Sequence, residues 1–330
     1  MTPFSSIAVV GAGAWGTALA NAACRDGRRV LLWTRDPAHA ERMRADGENA
    51  TRLPGVPLAE GVEPTSDLRA AAQTRAILLA VPAQALRGVA EALALVLPVG
   101  IPVIVCAKGI ERGTGLFMTE IVADTLRGAM PGVLSGPSFA EDVARGLPTA
   151  IVLAAPLEPV AEALAAALSS PSFRLYHSTD VRGVEIGGAA KNVLAIAAGI
   201  VEGRRLGESA KAALTARGFA ELGRFAVSYG ARPETLAGLS GLGDLILTCG
   251  SAKSRNFAFG LDLGRGLSPA KAGGGRLAEG AHTARVLVEM ATARGVDMPI
   301  AAAVDAVLGG RLTVDEAVMA LMSRPLRAEM

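Results

Sequence analysis

The chain is expected to be α/β, with an N-terminal doubly wound parallel sheet (residues 1–180) followed by an all-α C-terminal part (residues 181–330). Two observations predict this. Short, almost wholly apolar runs alternate with helical patterns along the first part, as parallel βαβ units require. From Val184 onward such runs vanish, and alanine-rich helical periodicity continues to the C-terminus.

The first apolar run, residues 7–10, reads as a buried strand. It leads into Gly11-Ala12-Gly13-Ala14-Trp15-Gly16 and then a helical pattern. Gly11 permits a tight turn, Gly13 removes the side chain that would block a pyrophosphate, and Gly16 lets helix and strand pack closely. The N–H groups at such a helix start attract phosphate. This strand–turn–helix context predicts a dinucleotide site of the Rossmann type, with a merely structural turn as the lesser reading.

Further strands are expected over residues 30–33, 76–81, 103–106, 132–135 and 150–153, with a helix over 83–96. Helices are expected over 183–203, 210–229, 279–295 and 301–308, and Gly273, Gly274 and Gly275 read as a loop.

Composition narrows the function classes. The 330 residues are 51% hydrophobic and 19% charged, with a net charge of +2 and no Lys/Arg cluster. A nucleic-acid partner is not expected. Cys24, Cys106 and Cys249 lie far apart without ligand spacing, which argues against a disulfide framework or zinc site and for a reducing, cytoplasmic setting. No secretory leader is expected at the N-terminus. The uncharged stretch 92–107 is broken by Pro98 and Pro102 and falls short of the roughly 20 residues a bilayer span needs. A soluble protein without membrane insertion is expected.

The end of the second strand, Trp33-Thr34-Arg35-Asp36, bears on the cofactor. Arg35 suits the 2′-phosphate of NADPH, while an acidic residue there would favour NADH. Both remain open, with NADPH preferred; the bland alternative makes Arg35 and Asp36 solvated turn residues.

Four other segments combine small residues with reactive side chains: Ala107-Lys108-Gly109, Ser135-Gly136-Pro137-Ser138, Lys191-Asn192, and Gly241-Leu242-Gly243-Asp244 followed by Ser254-Arg255-Asn256. Lys191 stands within an otherwise apolar helix, where desolvation disfavours its charge. It either snorkels outward or lines a cavity as an acid–base group with Asp244 as its partner. Lys108 and Arg255 suit an anionic substrate. His39, His177 and His282 have no ligand-spaced partner and read as surface or structural residues. Cys106 reads as core, and Met290, Met298, Met319 and Met322 as helix packing.

In this order and spacing, these segments resemble the bacterial-type NAD(P)-dependent glycerol-3-phosphate dehydrogenases across essentially the whole chain, including Glu279-Gly280. The resemblance implies that Lys191 is the catalytic proton donor or acceptor and Asp244 its partner at the substrate. Lys108 would touch both cofactor and substrate. Gly136 and Ser138 would line the substrate site. Arg255 and Asn256, helped by Ser254, would hold the substrate phosphate, with Arg255 also reaching the cofactor. Gly11, Gly13, Ala14, Trp15, Gly16, Arg35, Ala140, Leu277 and Glu279 would complete the cofactor site. Ala14 departs from the serine many members carry there; backbone N–H groups suffice. The implied substrate pair is dihydroxyacetone phosphate and glycerol 3-phosphate, with no metal required and a homodimer plausible. Two alternatives differ in class: a 3-hydroxy-acid or ketopantoate reductase, and a redox-sensing regulator that binds dinucleotide without turnover.

Overall fold

In the computed structural model, residues 4–24, 27–275 and 278–325 are described. Eight strands form one sheet: β1 (Ser6–Val10), β2 (Arg29–Trp33), β3 (Val62–Thr65), β4 (Ile77–Leu79), β5 (Pro102–Val105), β6 (Met130–Ser135), β7 (Thr149–Ala154) and β8 (Phe173–Ser178). Their order is β3-β2-β1-β4-β5-β6-β7-β8. Helices α1 (Ala14–Ala23), α2 (Pro37–Asp46), α3 (Leu68–Ala72), α4 (Leu86–Ala94), α5 (Met118–Thr125), α6 (Ala140–Ala144) and α7 (Glu158–Leu168) intervene.

Alternation along β1 explains the two faces. Ile7 and Val9 join a core with Leu19 and Leu32, while Ala8 and Val10 point the other way, to Leu31, Ile77 and Leu86. Both faces are covered, so the central strands read as continuous apolar runs. From β1 the strands β2 and β3 are added on one side and β4, β5 and β6 on the other, all parallel. This switch in strand order between β1 and β4 opens the crevice where ligands of such sheets bind.

The fold differs from expectation in three ways. β7 pairs antiparallel with β6, whereas the other neighbours are parallel. The only helix between these two strands is α6, whose five residues span about 7.5 Å, too little to return along a six-residue strand of about 20 Å. The edge strands β3 and β8 also went unpredicted. β3 carries Glu63 and Pro64, which an edge tolerates, and β8 alternates buried Phe173 and Leu175 with exposed Arg174 and Tyr176. Finally, the helix expected over 83–96 begins as a 3-10 turn, Ala83–Ala85, before α4.

After β8 the chain is helical: α8 (Val181–Gly203), α9 (Glu208–Ser228), α10 (Pro233–Ala237), α11 (Asp244–Cys249), α12 (Arg255–Gly264), α13 (Glu279–Ala293), α14 (Pro299–Leu308) and α15 (Val314–Met322). Asp180 caps α8 by accepting from the Gly183 N–H. Nearly every residue of α8 is buried, because α9, α11, α12 and α13 pack around it. Its contact with α12 is closest. A methyl group on Gly199 would lie 2.1 Å from the Phe257 carbonyl oxygen, and one on Gly260 would lie 2.0 Å from that of Ile196. α8 is long and apolar enough to cross a membrane, yet it is the buried core helix of this half.

Gly273 and Gly274, expected in a loop, have left-handed, non-helical backbones with φ of 62° and 66°. Met298 is buried as expected, but Met319 and Met322 are 67% and 78% exposed, so they do not serve packing.

Candidate active site

The glycine-rich turn gives each glycine a separate reason. Gly11 has φ +119°, and a methyl group there would lie 2.8 Å from the Ala80 backbone. One on Gly16 would lie 1.8 Å from the Gly11 carbonyl oxygen, so α1 can leave the turn only without a side chain there. Gly13 faces open space, with nothing within 4 Å of an added methyl group. It is followed by Ala14 and Trp15 at the start of α1, whose amides face outward from a helix N-terminus. The Trp15 Nε1 is buried without a partner. An open glycine beside free helix amides and an unsatisfied donor fits a dinucleotide.

A second cluster forms where the sheet's C-terminal edge meets α8. Lys108 follows β5, and its Nζ donates to the Gly136 carbonyl (3.2 Å) and to Asp244 Oδ2 (2.7 Å). Lys191, on α8, pairs with the other oxygen, Asp244 Oδ1, and donates to Thr248 Oγ1 at 2.7 Å. One carboxylate thus holds two lysines, one from each half of the chain. Asp244 is 1% exposed and Lys191 5%, so the snorkelling alternative does not apply. The Ser138 hydroxyl donates to the same Gly136 carbonyl (3.2 Å), and Asn192 Nδ2 reaches the Lys108 carbonyl (3.5 Å).

Local sequence explains the placement. Leu239–Gly243 make a widened π-type turn before α11, and a methyl group on Gly241 would lie 2.0 Å from the Leu236 carbonyl oxygen. That turn delivers Asp244 as the first residue of α11. Thr248, one helical turn on, donates to Asp244 Oδ1 (3.4 Å) and was given no role from sequence. Its spacing of four from Asp244 is the signal that could have found it. Gly188 allows α8 to approach Ser135, whose buried hydroxyl has no partner; a methyl group on Gly188 would lie 2.5 Å from it.

Burial pushes the Lys191 ammonium down to about 7, with the Lys108 charge adding to the effect and Asp244 opposing it. A lysine balanced near neutrality can give or take a proton. Glu279, the first residue of α13, is raised by burial, against the influence of Arg255, the Ala83 N–H, Lys108 and Lys191.

The remaining sequence-predicted residues fall around this centre in different ways. Ser254 caps α12, accepting from the Phe257 N–H, and the Asn256 carboxamide oxygen accepts from the Gly280 N–H at 2.8 Å. Arg255, between them, is exposed. Ala140 starts α6, which packs on α1. Arg35 is exposed just past β2, whereas Asp36 is engaged as the cap of α2, accepting from the Ala38 N–H. Leu277 lies outside the described residues.

Comparisons with known proteins bear on both halves. The family pattern for the N-terminus of NAD-dependent glycerol-3-phosphate dehydrogenase matches residues 6–161, and that for its C-terminus matches residues 180–319. The chain is similar to a glycerol-3-phosphate dehydrogenase [NAD(P)+] of Azorhizobium caulinodans, with 66% identity over 330 residues and full coverage of both chains. It is 62% identical, again at full coverage of both, to one from a Bradyrhizobium species. Its fold matches a crystal structure of glycerol-3-phosphate dehydrogenase from Coxiella burnetii with a TM-score of 0.92 and 38% identity, covering 97% of this chain and 99% of that one.

Proposed function

The chain belongs to the NAD-dependent glycerol-3-phosphate dehydrogenase family, and from that premise we propose which of its residues carry the reaction. It is an oxidoreductase that interconverts dihydroxyacetone phosphate and glycerol 3-phosphate, the backbone of glycerophospholipids, with NADH or NADPH. The small-molecule partner is thereby given. The single observation supporting our assignment is the buried Asp244 with one lysine on each oxygen.

The bound reduced nicotinamide supplies the hydride. Lys191, as the ammonium, faces the ketone oxygen, polarises it and gives it the proton from Nζ as alkoxide character develops. In the reverse direction neutral Lys191 takes the hydroxyl proton. Asp244 holds Lys191 in place and keeps its proton affinity from falling further. Lys108 draws the substrate toward the β5 end, where Gly136 and Ser138 line the site. Arg255 offers a bidentate fork to the phosphate dianion, with Ser254 and Asn256 building the helix start that carries it. Binding at that remote phosphate orients the reacting carbon.

Gly11, Gly13, Ala14, Trp15 and Gly16 receive the pyrophosphate. Ala140, Arg255, Leu277 and Glu279 complete the cofactor site, and Lys108 serves both ligands. Residues 1–180 act as the dinucleotide-binding domain and 181–330 as the helical substrate domain; the last strand ends at Ser178 and α8 starts at Val181. A cytoplasmic setting accords with free Cys24, Cys106 and Cys249. A homodimer formed through the helical half accords with exposed Met319 and Met322 on α15. A nucleic-acid partner or membrane insertion is no part of this reading.

Arg35 gives the cofactor choice. With Asp36 engaged at the α2 cap, Arg35 is the residue left to meet a 2′-phosphate. Dihydroxyacetone phosphate should oxidise NADPH at lower cofactor concentration than NADH. Arg35→Ala should raise the KM for NADPH about tenfold, the loss of one charge-assisted contact, and leave that for NADH unchanged. Steady-state kinetics with both cofactors decide this, and equal effects on the two would remove Arg35 from the 2′-phosphate site. Without dihydroxyacetone phosphate-dependent oxidation of either cofactor, the substrate assignment itself fails.

A further inference from the structure

A chain of directed hydrogen bonds leads from the end of β2 to the glycine-rich turn. The Asn49 carboxamide, 1% exposed, lies in the loop after α2. Its Nδ2 donates to the Ala12 carbonyl (3.0 Å) and to Thr17 Oγ1 (2.8 Å), and Thr17 Oγ1 in turn donates to the Gly13 carbonyl (2.9 Å). With both amide protons engaged there, Asn49 Oδ1 faces His39 Nε2 at 2.9 Å, so that nitrogen carries a proton. In the neutral ring Nδ1 is then an acceptor, and the Thr34 hydroxyl donates to it at 3.2 Å.

The chain ends on two carbonyls that an anion must not meet. Across a trans peptide the carbonyl and the next N–H point in opposite directions. Asn49 and Thr17 are buried, 1% and 0% exposed, so the carbonyls they hold point inward. The N–H groups of Gly13 and Ala14 therefore turn outward, to the open side of Gly13. We propose that Thr34, His39, Asn49 and Thr17 form a positioning relay that orients the glycine-rich turn for the pyrophosphate of either dinucleotide. The relay rests on the dinucleotide site assigned above. His39 thereby becomes a positioning residue for cofactor binding.

Trp15 and Trp33, the two tryptophans of the chain, report on dinucleotide binding by fluorescence. Asn49→Ser and Thr17→Val should each raise the Kd for NADPH and NADH about tenfold and by the same factor, since the pyrophosphate is common to both. His39→Leu should raise both severalfold; His39→Gln, which keeps a donor where Nε2 stands, should restore most of the loss. The KM for dihydroxyacetone phosphate and kcat at saturating cofactor should stay unchanged. Variants that lower the melting temperature but keep the parent Kd overturn the relay, as does weakening confined to NADPH. Because His39 is only half-buried, its variants should fold and keep the test open even where Asn49→Ser does not. Failure of the parent protein to bind either dinucleotide would overturn the site and the relay together.

Discussion

Replacing Lys191 with alanine is expected to lower turnover about a thousandfold or more while leaving dinucleotide affinity unchanged. The size follows from two roles lost together, proton transfer and polarisation of the ketone oxygen. The selectivity follows from placement. Lys191 is held by Asp244 and Thr248 in the helical half, whereas the glycine-rich turn belongs to the sheet. Steady-state rates with saturating cofactor, together with a fluorescence Kd for the cofactor, check both parts. Turnover within about tenfold of the parent would mean that another group moves the proton.

Asp244→Asn should be nearly as severe, for a different reason. It keeps the shape of the side chain and removes the charge shared by Lys108 and Lys191. Breaking a buried pair by removing one partner costs about 3–5 kcal/mol when the remaining charge stays. Lys191 can escape much of that by releasing its proton. The Asp244 carboxylate is what raises its proton affinity against burial and the Lys108 charge, so in the variant the midpoint falls further below about 7. Ketone reduction at neutral pH should drop about a hundredfold and recover in part as the pH is lowered. A reduction profile that kept its midpoint near neutrality would show that Asp244 does not set the lysine's proton affinity.

What was legible in the sequence was local. The turn from Gly11 to Gly16 could be read because Gly11 and Gly16 answer constraints within a few residues or beside the adjoining strand, while Gly13 leaves open the space a pyrophosphate needs. The helical half announced itself because α8, α9 and α13 are long, alanine-containing helices of 23, 21 and 15 residues. Lys191 stood out because a cation in an apolar helix is costly wherever that helix packs.

What was not legible depends on distant pairing. Lys108 and Asp244 are 136 residues apart, so nothing in either segment says that one carboxylate serves both lysines. The edge strands β3 and β8 were missed because a search for apolar runs finds strands covered on both faces, and an edge strand carries Glu63 or Arg174. The antiparallel β7 went unseen because the short α6 carries no mark of chain direction. His39 reads from sequence as a surface or structural residue, and its place in a chain reaching the Ala12 carbonyl required the fold.

The central claim is that one proton, on Lys191, serves both directions of the reaction, and its pH dependence tests this most directly. The folded-state value lies near 7, below the usual 10.5 of a lysine, because burial disfavours the ammonium. The ammonium is the active form for ketone reduction, so kcat/KM for dihydroxyacetone phosphate should fall as pH rises above about 7. The neutral amine is the active form for glycerol 3-phosphate oxidation, so its kcat/KM should rise through the same midpoint, and Lys191→Ala should abolish both inflections. Profiles that bend in the same direction for the two reactions, or inflections that survive in Lys191→Ala, would contradict the assignment.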